Sequence, residues 1–215
     1  MLMPLLRSEV AVTIRIATQH ESLLSDLARF VDVNTLTGLP GGEDELAEGM
    51  VTRGDGRGGI AWTRREIVNR LVALGGVVEV IPGVAAPAWL TRGGAGRPAV
   101  VPPTVVVRRA MPGRPNVLIA GHLDTVHAPG KAFNKLTLAA DGKTATGPGC
   151  VDMKGGLVIA VHALEALHAA GVECGWSFLL NSDEETGSFA SDDALRAEAA
   201  RAWPDGSKVY AAGLA

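Results

Sequence analysis

The stretch from residue 116 to residue 181 constrains the fold most, because two short apolar segments there flank one long helical one. Residues 116–120 and 176–181 are strand-like, being apolar and bounded by Gly, Pro and polar clusters. Between them, 155–170 sets Leu157, Val161, Leu164 and Leu167 on one side at helical spacing, and Gly171 supplies the stop. Strand, helix, strand with a crossover of this length predicts parallel neighbours in an α/β sheet, since a right-handed crossover lays the helix back onto the sheet.

The remaining pattern is consistent with that class. Residues 19–33 read as a helix with Leu23, Leu27 and Phe30 on its inner stripe. A Gly-rich, acidic loop follows over 38–59, with a short helical turn expected at 43–50. Thr63 and Glu66 have the spacing of a capping box, Ile67, Leu71 and Leu74 repeat behind them, and Gly75-Gly76 ends that helix. Strands are expected at 77–81 and 104–108, joined by a Pro/Gly-rich connection over 82–103.

With 47% hydrophobic and 20% charged residues, 215 residues can bury a real core, most simply as one domain or a large part of one. A net charge of −3 leaves no basic footprint for nucleic acid. The longest apolar runs fall far short of the roughly 20 residues that cross a bilayer, and residues 1–6 lack the pattern of a secretory signal, so a cytoplasmic protein with a small-molecule partner is expected. Cys150 and Cys174 are too few for a disulfide framework and are expected to be free thiols.

Three polar clusters interrupt the apolar elements, each just past a strand or at a helix entry, the edge where open α/β sheets bind ligands. In Gly121-His122-Leu123-Asp124-Thr125-Val126, extended spacing points His122 and Asp124 to one side. A structural histidine beside a turn carboxylate has the same pattern. In Gly147-Pro148-Gly149-Cys150-Val151-Asp152-Met153-Lys154-Gly155-Gly156, Asp152 reads equally as a helix cap or a ligand, and the glycines allow close approach of backbone to a charged group. In Asp183-Glu184-Glu185-Thr186-Gly187-Ser188, adjacent carboxylates end an apolar strand, where they repel unless a cation or proton lies among them. Together, His, Asp and Glu at these places form the ligand set of a hydrolytic zinc or two-metal site.

In these three motifs, and in their order and separation, the sequence resembles the M20 metallopeptidases, the group of acetylornithine deacetylase, succinyl-diaminopimelate desuccinylase and glutamate carboxypeptidase. The resemblance implies a three-layer α/β/α catalytic domain with a mostly parallel central sheet, of which 1–215 is the N-terminal part. It implies two divalent ions, zinc or else cobalt, with His122 on one, Glu185 on the other and Asp152 bridging. Asp124 would orient His122. Glu184 would be the general base, taking a proton from the attacking water and returning it to the leaving nitrogen. The substrate would be an N-acyl amino acid or small peptide, and the peptide bond between Asp152 and Met153 would be cis.

The family continues through a further carboxylate ligand, a lid or dimerisation domain and a last histidine ligand, none of which matches a motif in 1–215. Residues 209–215 resemble the strand that leads to that carboxylate. With three ligands for two ions, metal affinity is expected to be weak. His20, His127, His162 and His168 lie outside any ligand motif, the last two on the long helix. The alternative to an enzyme is a noncatalytic metal- or metabolite-binding remnant. A third reading, a cysteine hydrolase using Cys150 with His122, lacks a thiolate-activating setting.

Overall fold

The computed structural model describes residues 7–39, 59–85, 101–114, 116–130 and 132–202. The expected turn at 43–50, the middle of the 82–103 connection and the segment 209–215 lie outside the described residues. Three helices, α1 (Arg7–Thr18), α2 (His20–Val31) and α3 (Ile60–Ala73), precede strands β1 (Val77–Ile81), β2 (Thr104–Arg109) and β3 (Asn116–His122). A small hairpin of β4 (Thr137–Leu138) and β5 (Ala145–Thr146) leads to the turn Cys150–Lys154, then to α4 (Gly155–Ala169), β6 (Gly175–Asn181) and α5 (Asp192–Ala202).

The main sheet has the order β1-β2-β6-β3. β3 and β6 are parallel, as their crossover through α4 requires, with His122 opposite Asn181. The sheet as a whole is mixed, because β1–β2 and β2–β6 pair antiparallel. Antiparallel neighbours need no helical crossover, so the parallel character inferred from one strand–helix–strand unit does not extend across the sheet.

Period-two alternation divides the sheet's side chains between two layers of helices. Val105, Val107, Trp176, Phe178 and Leu180 join Phe30, Ile67, Leu71, Leu157, Val161 and Leu164 in one core beneath α2, α3 and α4. The intervening Val106 and Leu179 are buried on the opposite face. There Arg108 of β2 forms a bidentate pair with Glu198 of α5. The result is three layers, α/β/α.

One boundary differs from expectation for a physical reason. α3 begins at Ile60 with Gly59 as its cap, since Ile60 and Ala61 are themselves buried. Thr63 therefore lies inside the helix, and its hydroxyl donates to the Gly59 carbonyl at 2.9 Å instead of capping. α1 and α5 carry no strong apolar stripe and went unread in the sequence. α1 buries no residue and leaves Val10, Ile14 and Ile16 exposed. Gly75 and Gly171 end α3 and α4 with φ of +86° and +69°, the left-handed stop that favours glycine.

Candidate metal centre

β3 and β6 run side by side, so their C-terminal ends present His122 and the Asp183-Glu184-Glu185 loop at one edge. Leu123 N–H donates to the Asn181 carbonyl at 2.9 Å, which extends the register one step past the strand. The close packing beneath this edge depends on Gly121. A Cβ there would lie 2.7 Å from Leu157 Cδ2 and 3.0 Å from Met153 Cε. Met153 uses that space, and its Sδ accepts the His122 backbone N–H at 3.1 Å.

Asp152 arrives from the turn before α4. Gly149 starts the turn with φ +68°, and Asp152 has extended φ/ψ of −120° and 98°. The Asp152–Met153 peptide bond is cis. Lys154 is buried beneath the turn, and its ammonium donates to the Val33 carbonyl at 2.7 Å. Burial pushes its pKa down to about 7.

Donor atoms of His122, Asp152 and Glu185 all lie within 4.8 Å of one another. The His122 Nε2 to Asp152 Oδ1 distance is 2.8 Å, and Glu184 Oε2 stands 3.9 Å from the same nitrogen. His122 is buried, Asp152 and Glu184 are exposed, and Glu185 is intermediate, so the group opens to solvent on its carboxylate side. Burial alone would lower the His122 pKa, but hydrogen bonds with Asp124 and Asp152 outweigh it and raise it to about 9. Glu185 is raised above the usual carboxylate range by burial and by the charge of Asp152. An imidazole and two carboxylates converging in this way suit zinc or another borderline divalent ion.

Asp124 is fully buried. The His122 Nδ1 lies 3.0 Å from its backbone carbonyl and 3.4 Å from its Oδ1, so the main chain makes the closer contact. Its carboxylate accepts the backbone N–H of Glu184 at 3.3 Å and of Glu185 at 3.1 Å, and the Thr37 hydroxyl at 2.8 Å. Burial opposes its charge, while the hydrogen bonds from His122, Thr37 and Glu185 hold the pKa below the ordinary value.

The three acids of the third cluster separate in role. Asp183 turns inward and accepts the N–H groups of Ala190 at 2.6 Å and Ser191 at 3.3 Å, closing the loop. Glu184 and Glu185 project towards the cleft. Thr37 and the structural part of Asp183 were not legible in the sequence: Thr37 lies in a loop 87 positions from its partner. Cys150 and Cys174 are free thiols. Cys150 donates to the Ala145 carbonyl and burial raises its pKa, which opposes a thiolate nucleophile. His162 is buried and hydrogen-bonded to Asp26 at 2.9 Å, away from the cleft.

In an α/β/α layer fold, such a donor group beside the ends of the parallel strands β3 and β6 is a candidate metal site. Over residues 118–212 the chain matches the family model of Peptidase family M20/M25/M40. It is 39% identical over 89 residues to carboxypeptidase G2 of Pseudomonas sp. (strain RS-16), a match covering 40% of this chain and 21% of that protein. In fold it is similar to human carnosine dipeptidase 1, with TM-score 0.68 and 18% identity over 94% of this chain and 40% of that one. It is also similar to the di-peptidase Dug1p of Saccharomyces cerevisiae, with TM-score 0.65 and 19% identity over 89% of this chain and 38% of that one. The chain thus spans well under half the length of these relatives. No helix among the described residues is long and apolar enough to cross a membrane.

Proposed function

We propose that residues 1–215 are the front part of a metallo-exopeptidase or amidohydrolase catalytic domain that cleaves the amide bond of a small peptide or N-acyl amino acid. The observation that carries this reading is the convergence of His122, Asp152 and Glu185 at the ends of β3 and β6. The activities of its relatives, a carboxypeptidase and two dipeptidases, support a peptide substrate. His122, Asp152 and Glu185 would hold the divalent ions, zinc foremost and two in number. Such ions supply polarisation of the scissile carbonyl and acidification of the attacking water.

The chain's own residues do the rest. Glu184 has a solvent-facing carboxylate beside the donor group, placed to take the proton of the attacking water on Oε2 and to deliver it to the leaving nitrogen. Asp124 holds the His122 ring and the backbone that carries both glutamates. Leu123 and Leu157 belong to the buried core, and Met153 packs half-buried against it.

With zinc added and a panel of dipeptides and N-acyl amino acids, Glu184→Gln is expected to lose turnover by about 10²-fold or more while still binding metal. His122→Ala is expected to lose the metal itself. Turnover that survives chelation would overturn the proposal. Zinc binding without any turnover would favour the noncatalytic reading.

A further inference from the structure

The candidate metal centre is assembled from residues 122–185, yet the shortest hydrogen bond to Asp124 comes from the loop after α2. After Asp32 the chain runs alongside 123–127. Leu36 and Thr125 form a parallel bridge, Thr125 N–H donates to the Thr35 carbonyl at 2.9 Å and Thr37 N–H to the Thr125 carbonyl at 3.1 Å. Asn34 donates to the His127 carbonyl at 2.9 Å and, through its Oδ1, accepts the Leu36 N–H at 3.0 Å. This backbone pairing delivers the Thr37 hydroxyl to Asp124 Oδ2 at 2.8 Å, a shorter contact than either of the glutamate amides makes with the same carboxylate.

Asp124 has no exposed surface, so its carboxylate orientation is set entirely by protein donors. Its Oδ1 faces the His122 ring and Glu184 N–H, and its Oδ2 faces Thr37 and Glu185 N–H. Removing one donor from a buried carboxylate leaves that oxygen underpaired and frees the group to rotate. Rotation about the side chain moves both oxygens at once, and with them the ring and the two amides.

We propose that Thr37 is a positioning residue of the metal centre: its hydroxyl locks the Asp124 carboxylate, which in turn fixes the His122 imidazole and the Glu184–Glu185 backbone. This builds on the metallohydrolase reading, but its geometry exists in the chain without metal. Thr37→Val keeps the β-branched shape and leaves the Thr37 main-chain bond to Thr125 in place, whereas Thr37→Ser keeps the hydroxyl.

The test uses the full chain, free of metal and ¹⁵N-labelled, followed by zinc titration. In Thr37→Val the amide exchange of Glu184 and Glu185 is expected to rise about tenfold or more, the scale of one lost bond to a charged group. Amides of β2 and β6 should stay unchanged, and zinc affinity should fall about 10–100-fold, the usual loss for a partner behind a metal ligand. Thr37→Ser should restore both. Unchanged Glu184 and Glu185 exchange in Thr37→Val overturns the proposal. So does a failure of Thr37→Ser to rescue, or a loss of protection spread equally over β2 and β6. If the two amides respond and the serine rescues, but the parent chain binds no zinc, the positioning role stands and the metal reading of the site falls.

Discussion

At the scale of single residues, the site rests on places where one atom more or less decides the geometry. Gly121 is the clearest. A methyl group there meets Leu157 and Met153, and both must shift for it to fit. Gly121→Ala is expected to cost about 1–3 kcal/mol, the range for overpacking, measured by urea unfolding. It should also displace Met153 from the His122 N–H, which the amide shift of His122 in an NMR spectrum reports. An unchanged unfolding midpoint would show that the strand end is looser than this packing indicates. Asp124 and Asp183 are the counterpart among acids. Each is buried with its charge spent on backbone N–H groups of the 183–191 loop.

At the scale of elements, α2, α3 and α4 are tied on their outer side by charges. Arg70 of α3 donates twice to Glu165 of α4 at 2.7 Å and once to Asp26 of α2 at 2.6 Å. Asp26 also meets His162 of α4 at 2.9 Å. Arg70 is about a quarter exposed, so solvent screens part of the interaction. Arg70→Ala is expected to destabilise the chain by about 1–3 kcal/mol, because Glu165 loses its bidentate partner and Asp26 loses one of its donors. The pH dependence follows from Asp26. Burial raises its pKa, but the hydrogen bonds from His162 and Arg70 prevail and hold it below 3.8. A carboxyl lowered in the folded state contributes stability that is complete above the unfolded pKa and is lost as pH falls through the folded one. Asp26→Asn should therefore flatten the loss of stability below about pH 4. Acid titration of the unfolding midpoint tests the sign.

At the scale of the whole molecule, one flank of the sheet has apolar surface in view. Among the described residues β3 has a strand on one side only, and the space between its free side and α4 is a groove of about 410 Å³. Leu118, Ile119, Ala163 and Leu167 line it, and Val117 and Ile159 stand 47% and 55% exposed at its rim. Contiguous apolar surface of this kind binds amphiphilic dyes. The native chain is expected to enhance anilinonaphthalene sulfonate fluorescence, and Ile159→Glu to reduce it at unchanged far-ultraviolet circular dichroism. A native chain with no enhancement would mean that the groove is closed in solution.

Local patterns were enough for much of this. The apolar period of α4 with Gly171 behind it, the composition of β3 and β6, and the motifs around His122, Asp152 and Glu185 are all short-range signals. They led to the α/β class, the parallel β3–β6 pair and the three candidate ligands whose donor atoms the structure brings together. What they left undecided depends on contacts between distant segments. The antiparallel addition of β1 and β2 reflects pairing that no helical crossover announces. α3 starts at Ile60 and not at Thr63, because burial of Ile60 and Ala61 outweighs a local capping signal. Thr37 and Asp183 acquire their places only when the loop after α2 zips onto 123–127 and the 183–191 loop closes. Periodicity and motif spacing report what a residue does within its own element. A hydrogen bond across 87 positions is set by how those elements pack, and so only the tertiary structure decides it.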